Sequence, residues 1–188
     1  MTETPLWLRP TSSGWRVAVD EARTHMDVLD SAGTVQARVP IKPTETFTGP
    51  FADRMNSTTN KAFEDNGPQL TFARRPVPVE LIGTGDTGTL IPGAADGRRS
   101  TKSVVIELQG RHYIMRHTSS SKADVLRDGS LIVRFATGRQ NGVHRYLRND
   151  LLPLDPTDEI VLTIFEKLGR PGRAGAISDF FTALSNLY

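Results

Sequence analysis

The stretch LDPTDEIVLTIFEKLG, residues 154–169, carries a helix with both of its ends marked. Asp155 is a side chain able to accept from the free N–H groups of a first helical turn. Pro156 has the fixed φ and the missing N–H that suit the first helical position. Asp158 and Glu159 sit where the helix dipole presents its positive end, and Gly169 supplies the stop. Between these signals Ile160, Val161, Leu162, Ile164, Phe165 and Leu168 leave little of the circumference polar. A helix that is apolar on most sides is buried on most sides, so the rest of the chain has to surround residues 156–168.

The material available to surround it is strand. Trp15, Val17 and Val19 alternate with Arg16, Ala18 and Asp20, the period of a half-buried strand. Met26 and Val28, the turn residues DSAG, then Val35, Ala37 and Val39 read as a hairpin. Further strands are predicted at 69–75 (QLTFARR) and 77–83 (VPVELIG), the second flanked by Pro76 and Pro78. From 103 onward SVVIELQG, RHYIMRHT, KADVL, SLIVRFATG and VHRYLRN form five antiparallel strands in meander order. Alternation sends Met115, Leu131, Val133 and Phe135 to one face and Arg116 and Arg134 to the other, with Glu107 sharing the outer face with Val105. Residues 42–68 read as a long polar loop with one helical turn at most.

These elements define a mainly β (α+β) fold: an antiparallel, barrel-like sheet around a hydrophobic C-terminal helix. Thirteen residues from Pro156 to Leu168 span about 20 Å, a reasonable barrel height. A second, amphipathic helix is predicted over 175–187, with Ile177, Phe180, Phe181 and Leu184 at i, i+3, i+4 and i+7. Residues 1–188 make one domain. MDVLDSAGTV at 26–35 and ADVLRDGSLI at 123–132 share Asp-Val-Leu followed by a glycine turn. They raise half-repeats 14–83 and 103–150, joined by a flexible loop 84–101, against the alternative of two hairpins that merely share turn chemistry.

GRHYIMRHTSSSKADVLRDGSLIVRFATG followed by LLPLDPTDEIVLTIFEKL resembles the tubby C-terminal-like superfamily, which includes tubby proteins, phospholipid scramblases and LURP-one-related proteins, here of bacterial type. The match covers about residues 103–169, with weaker likeness over 14–41. It rests on a hairpin of the form y.L..dG..v and on the hydrophobic helix near the C-terminus. The resemblance implies a barrel of about a dozen strands threaded by that helix. In tubby proteins basic residues bind phosphoinositide head groups; no motif here allows those residues to be carried over one by one.

Composition narrows function mainly by exclusion. The chain has 188 residues, 37% of them apolar and 23% charged, which suits a packed domain. It has no cysteine, which removes disulfides, thiolate metal sites and cysteine nucleophiles. MTETPLWLRP is not a basic segment followed by an apolar one, and no run of about 18 apolar residues occurs, so no transmembrane segment is expected and a cytoplasmic, at most membrane-peripheral, location is. Gly83-x-Gly85-x-x-Gly88 follows an apolar run as a dinucleotide fingerprint does, but TLIPGAADGRRST cannot continue as the helix that a pyrophosphate needs. The loop is expected to be mobile from about Thr84 to Arg99 instead. His112 and His117 are five apart on one strand, hence on opposite faces, and no metal is expected. Helix capping accounts for Asp155, Asp158 and Glu159. No catalytic motif is present, and no enzyme activity or cofactor is expected.

The charge distribution is the strongest positive signal. Residues 1–94 carry 9 Lys/Arg against 11 Asp/Glu, and 95–188 carry 14 against 10. Between Arg111 and Arg148 eight cations are opposed only by Asp124 and Asp128. Three functions stay open. The first is a non-enzymatic binding or scaffold module. The second is an anionic phospholipid or phosphate ligand held at a membrane surface by Arg111, Arg116, Lys122, Arg134, Arg145 and Arg148. The third is a subunit of a larger or homo-oligomeric assembly, docking through Ile177, Phe180, Phe181 and Leu184. Nucleic acid is disfavoured, since aromatics interleaved with the basic run are few and only Tyr113 and Tyr146 are candidates for stacking on bases.

Overall fold

A computed structural model of the chain describes residues 7–20, 24–41, 76–91, 103–140 and 143–169. The polar loop expected at 42–68, the strand expected at 69–75 and the terminal helix 175–187 lie outside the described residues. Within them eleven strands run in chain order: β1 (Trp7–Pro10), β2 (Arg16–Val19), β3 (His25–Leu29), β4 (Val35–Pro40), β5 (Val77–Leu81), β6 (Thr87–Ile91), β7 (Val104–Leu108), β8 (Arg111–His117), β9 (Lys122–Arg127), β10 (Ser130–Gln140) and β11 (Val143–Asp150). Helix α1 (Pro156–Ile164) follows, and the chain continues without a break into a π-helical turn, Phe165–Gly169.

Each strand pairs antiparallel with the next, giving one sheet in the order β1 to β11. Strand alternation places Val17, Val19, Met26, Val28, Ala37, Val39, Val79, Leu90, Ile106, Tyr113, Met115, Val125 and Phe135 on one inward face, all buried. Seven consecutive residues, Ile160 to Glu166, are buried as well, nearly two full turns, so α1 is covered on every side. The sheet curls to do this. Laid flat, eleven strands would measure about 48 Å across, yet Ser12 between β1 and β2 and Arg148 on β11 both bond the same short helix. Among the described residues no hydrogen-bonded pairing joins β1 to β11, so the sheet is open at that seam.

The hairpin β5–β6 corrects the expectation of a flexible connection over 84–101 as far as Ile91, because Thr87–Ile91 is a strand paired on both sides; residues 92–101 lie outside the described residues. Gly83 and Gly85 have φ of +104° and +72°, values that L side chains rarely adopt, and they turn the chain between β5 and β6. Gly88 has a different role. It lies buried in β6, where an added Cβ would run into the Glu107 carbonyl oxygen and the Leu108 side chain of β7. β1 was also invisible to periodicity, being four residues long and ending in proline. A third correction concerns Leu131. The register of β9 and β10 slips between Leu131 and Val133, so Leu131 pairs with Leu126 on the outer face, while Ile132 and Val133 both point inward and are buried.

The two Asp-Val-Leu hairpins match beyond their sequences. Asp27 stands opposite Arg38 and Asp124 opposite Arg134. In each pair the arginine Nε donates to the Asp Oδ1, at 2.7 and 2.8 Å.

Candidate functional site

The charged residues at the start of α1 do far more than cap it. Asp155 and Asp158 form a reciprocal capping box, each side chain accepting from the other's N–H at 3.0 Å. The Asp158 side chain is wholly buried, and the sheet supplies its remaining partners. Tyr113 of β8 donates to Oδ1 at 2.7 Å, Arg127 of β9 donates to Oδ2 at 2.5 Å, and Arg111 approaches Oδ1 at 3.3 Å. Arg111 also pairs with Asp155 at 2.6 Å. Burial alone would raise the Asp155 carboxyl, but the Asp158 N–H and the Arg111 guanidinium outweigh it and hold it below its usual value. Burial pushes the Tyr113 hydroxyl well above the usual range, so it keeps its proton to donate to Asp158.

At the next position of α1, Glu159 takes both Nη atoms of Arg148, at 2.7 and 2.6 Å, while Asp150 takes Nε at 2.5 Å. The Arg148 side chain is only 6% exposed. Burial disfavours its charge, and the bonds to Glu159 and Asp150 more than reverse that, raising its pKa. The far end of the helix is tied to the β1–β2 turn. Ser12 donates its N–H to both oxygens of the buried Glu166, at 3.2 and 3.1 Å, and its hydroxyl at 2.7 Å. Lys167 donates to the Pro10 carbonyl. The β5–β6 turn is linked in through Asp86, Gln109 and Thr157.

This geometry divides the arginines that the sequence groups together. Arg111 and Arg148 point inward and are committed to helix carboxylates. Arg134 faces outward, bonded to Asp124. Arg116 and Lys122 are exposed on the outer face, and the Arg145 side chain lies outside the described residues, as do Ile177, Phe180, Phe181 and Leu184. The six cations therefore do not form one basic face. Sequence reasoning missed Tyr113, Arg127, Asp150, Glu166 and Ser12 as members of a network. The available signal was a surplus: three carboxylates in one helical turn exceed what capping uses. His112 is exposed and His117 half-buried on the opposite face, as their spacing requires. Among the described residues no group of three His, Asp or Glu could hold a metal ion, and no helix is long and apolar enough to cross a membrane.

The outer face carries a second arrangement. Register places Ile91 beside Val105, Val105 beside Ile114, Ile114 beside Leu126 and Leu126 beside Leu131. All five point away from α1, in an unbroken apolar row across β6 to β10. Ile91 is 38% exposed and the other four are partly exposed. Four strand spacings make the row about 19 Å long. Two residues along the strands on one side lie Arg116, Asp124 and Arg134; on the other lie Glu107, His112 and the turn residue Asp128. Elsewhere on this face Leu147 of β11 is 60% exposed.

Comparison with protein-family models, with curated proteins and with solved structures finds no match to this chain.

Proposed function

We propose that the chain is a non-enzymatic binding or scaffold module, of tubby-like and LURP-one-related architecture, that engages its partner through the outer face of β6 to β10. The observation that carries this is the apolar row Ile91, Val105, Ile114, Leu126 and Leu131. Alternating strands with one solvated face ordinarily place polar side chains there, and a contiguous apolar stripe with a polar rim is the mark of an interaction surface. The buried carboxylates are meanwhile occupied in holding α1, and reassigning them to chemistry would dismantle the core. Head-group binding by the 111–148 segment has less support, because it retains only Arg116 and Lys122 as exposed cations with no intramolecular bond among the described residues.

The test is site-specific photo-crosslinking in the native host, with the photoreactive residue at position 114 or 126 and a control at the exposed Ala32 in the β3–β4 turn. A discrete adduct from 114 and 126 that is absent from 32 is the expected result. Equal labelling at all three positions, or none at any, would refute the assignment of this face.

A further inference from the structure

The two edges of the open sheet are fastened to α1 by unequal means. On one side Glu159 takes both Nη atoms of the inward Arg148, and β11 pairs with β10 along its whole length, Val143–Asp150. On the other side, seven residues further along the helix, the buried Glu166 accepts from the N–H and the hydroxyl of Ser12, while Lys167 donates to the Pro10 carbonyl at 2.6 Å. β1 is four residues long and, among the described residues, pairs with β2 alone. Leu8 is 44% exposed and Pro10 is exposed as well, so neither side chain anchors β1 in the core.

We infer that β1 and the turn residues 11–13 form a strap, latched over the end of α1 by Ser12 and Glu166, that swings open about Gly14 while β2 to β11 stay folded. The device is independent of the binding reading above. Gly14 is the hinge because its φ of +87° belongs to a residue with no side chain to restrict it, and a Cβ there would meet nothing within 4 Å. Beyond the hinge the chain is fixed. Val17 and Val19 are wholly buried, and β2 is paired with β3 from Arg16 to Val19, so lifting β1 leaves the core intact. The latch itself joins an exposed donor residue to a buried acceptor. Water reaching Ser12 takes over the bonds to Glu166 as the strap lifts, which keeps the carboxylate from being stranded without partners. Segments held by few buried apolar contacts and by solvent-reachable hydrogen bonds are the ones that open below the global unfolding free energy. Opening uncovers the Glu166 end of α1 and turns β2 into the edge of the sheet, with backbone groups left unpaired.

Residue-resolved hydrogen exchange of the full chain tests this, because the Thr11 and Ser12 amides are both hydrogen-bonded in the closed strap, to the Trp15 carbonyl and to Glu166. In the wild type both are expected to exchange at least about 100-fold faster than the bonded amides of β7 to β10. Ser12→Asp sets a second carboxylate against Glu166 at an exposed position and is expected to speed the Thr11 amide about tenfold further, with β7 to β10 unchanged. Glu166→Gln, which weakens the acceptor, is expected to do the same. In the double variant the new carboxylate accepts from the new amide, and the Thr11 rate is expected to return to within about threefold of wild type. Trp7 and Trp15 flank the turn and are the two tryptophans of the chain, so a fluorescence shift with unchanged far-ultraviolet circular dichroism is expected to accompany Ser12→Asp. Thr11 and Ser12 amides that exchange in step with β7 to β10 overturn the inference. So does a Ser12→Asp variant with unaltered exchange at Thr11, or a double variant in which the two single effects add. A Glu166→Gln change that accelerates all strands alike overturns it too, by making Glu166 part of the common core.

Discussion

Replacing Asp158 by Asn measures how much the buried cluster contributes to holding α1 inside the sheet. The substitution keeps size and shape, and the new amide oxygen can still accept from the Tyr113 hydroxyl. The other oxygen, however, becomes an NH2 group facing two donors, the Arg127 guanidinium at 2.5 Å and the Asp155 N–H at 3.0 Å. Arg111 retains Asp155, but Arg127 has no second carboxylate in the cluster and its charge is left largely desolvated. Removing one partner of a buried ion pair costs about 3–5 kcal/mol. A quarter of the Arg127 side chain reaches solvent, 24%, so about 3 kcal/mol is expected, a large part of the roughly 5–15 kcal/mol of a typical domain. Arg127→Met should cost about 2 kcal/mol, because Asp158 keeps its other donors. The double variant should cost about 3 kcal/mol rather than 5, since both single changes break the same bond. Urea unfolding followed by circular dichroism gives these differences from the midpoint at constant slope. Asp124→Asn, which breaks the more exposed pair with Arg134, should cost under about 1 kcal/mol in the same assay. A loss below about 1 kcal/mol for Asp158→Asn, or strict additivity in the double variant, would show that the cluster does not fasten the helix.

Three further substitutions probe other parts of the fold. Gly88→Ala should destabilise by about 2 kcal/mol or more, because the backbone of β7 stands where the methyl group would go; unchanged thermal melting would refute the close approach of β6 and β7. Thr163→Val should be neutral or stabilising by about 1 kcal/mol, since the buried Thr163 hydroxyl has no partner among the described residues, and a clear loss on chemical unfolding would mean that the hydroxyl is bonded. The Asp155 carboxyl has its pKa lowered in the folded chain, so its contribution is complete above the unfolded value near 3.8 and is lost as pH falls through the lower folded value. Stability measured between about pH 5 and 2 should therefore fall more steeply for wild type than for Asp155→Asn, and parallel profiles would remove Asp155 from the acid response.

Much of this fold was legible because its signals are local. Capping residues, a helix apolar all round and period-two alternation each declare themselves within a dozen positions, and they placed α1 and most strands. What escaped depends on contacts between elements. β6 reads as a glycine-rich linker because Gly88 looks like flexibility, when its missing side chain serves the close approach of another strand. Leu131 reads as inward because counting by twos assumes an unbroken register, and a single bulge reverses the parity. The π-helical turn at 165–169 leaves no mark in the apolar pattern at all.

The arginines are the instructive case, because parity would have sorted them. Arg111 shares a face with Tyr113 and Met115, Arg127 with Ala123 and Val125, and Arg148 with Tyr146, all on the side turned toward the helix. A guanidinium on an inward position of a strand has to find a carboxylate or remain desolvated and unpaired. Among the described residues the carboxylates these three arginines meet come from the start of α1, with Asp155, Asp158 and Glu159, up to 47 residues away along the chain, and from Asp150 at the end of β11. Counting charge along a segment therefore misjudges it twice, by including cations that the fold has already neutralised and by omitting the distant acids that neutralise them. Once the inward cations are set aside, the outer face keeps Arg116, Lys122 and Arg134 beside a row of hydrophobic side chains. The charge of a face is therefore set by strand parity and by pairing, not by the sum along a segment.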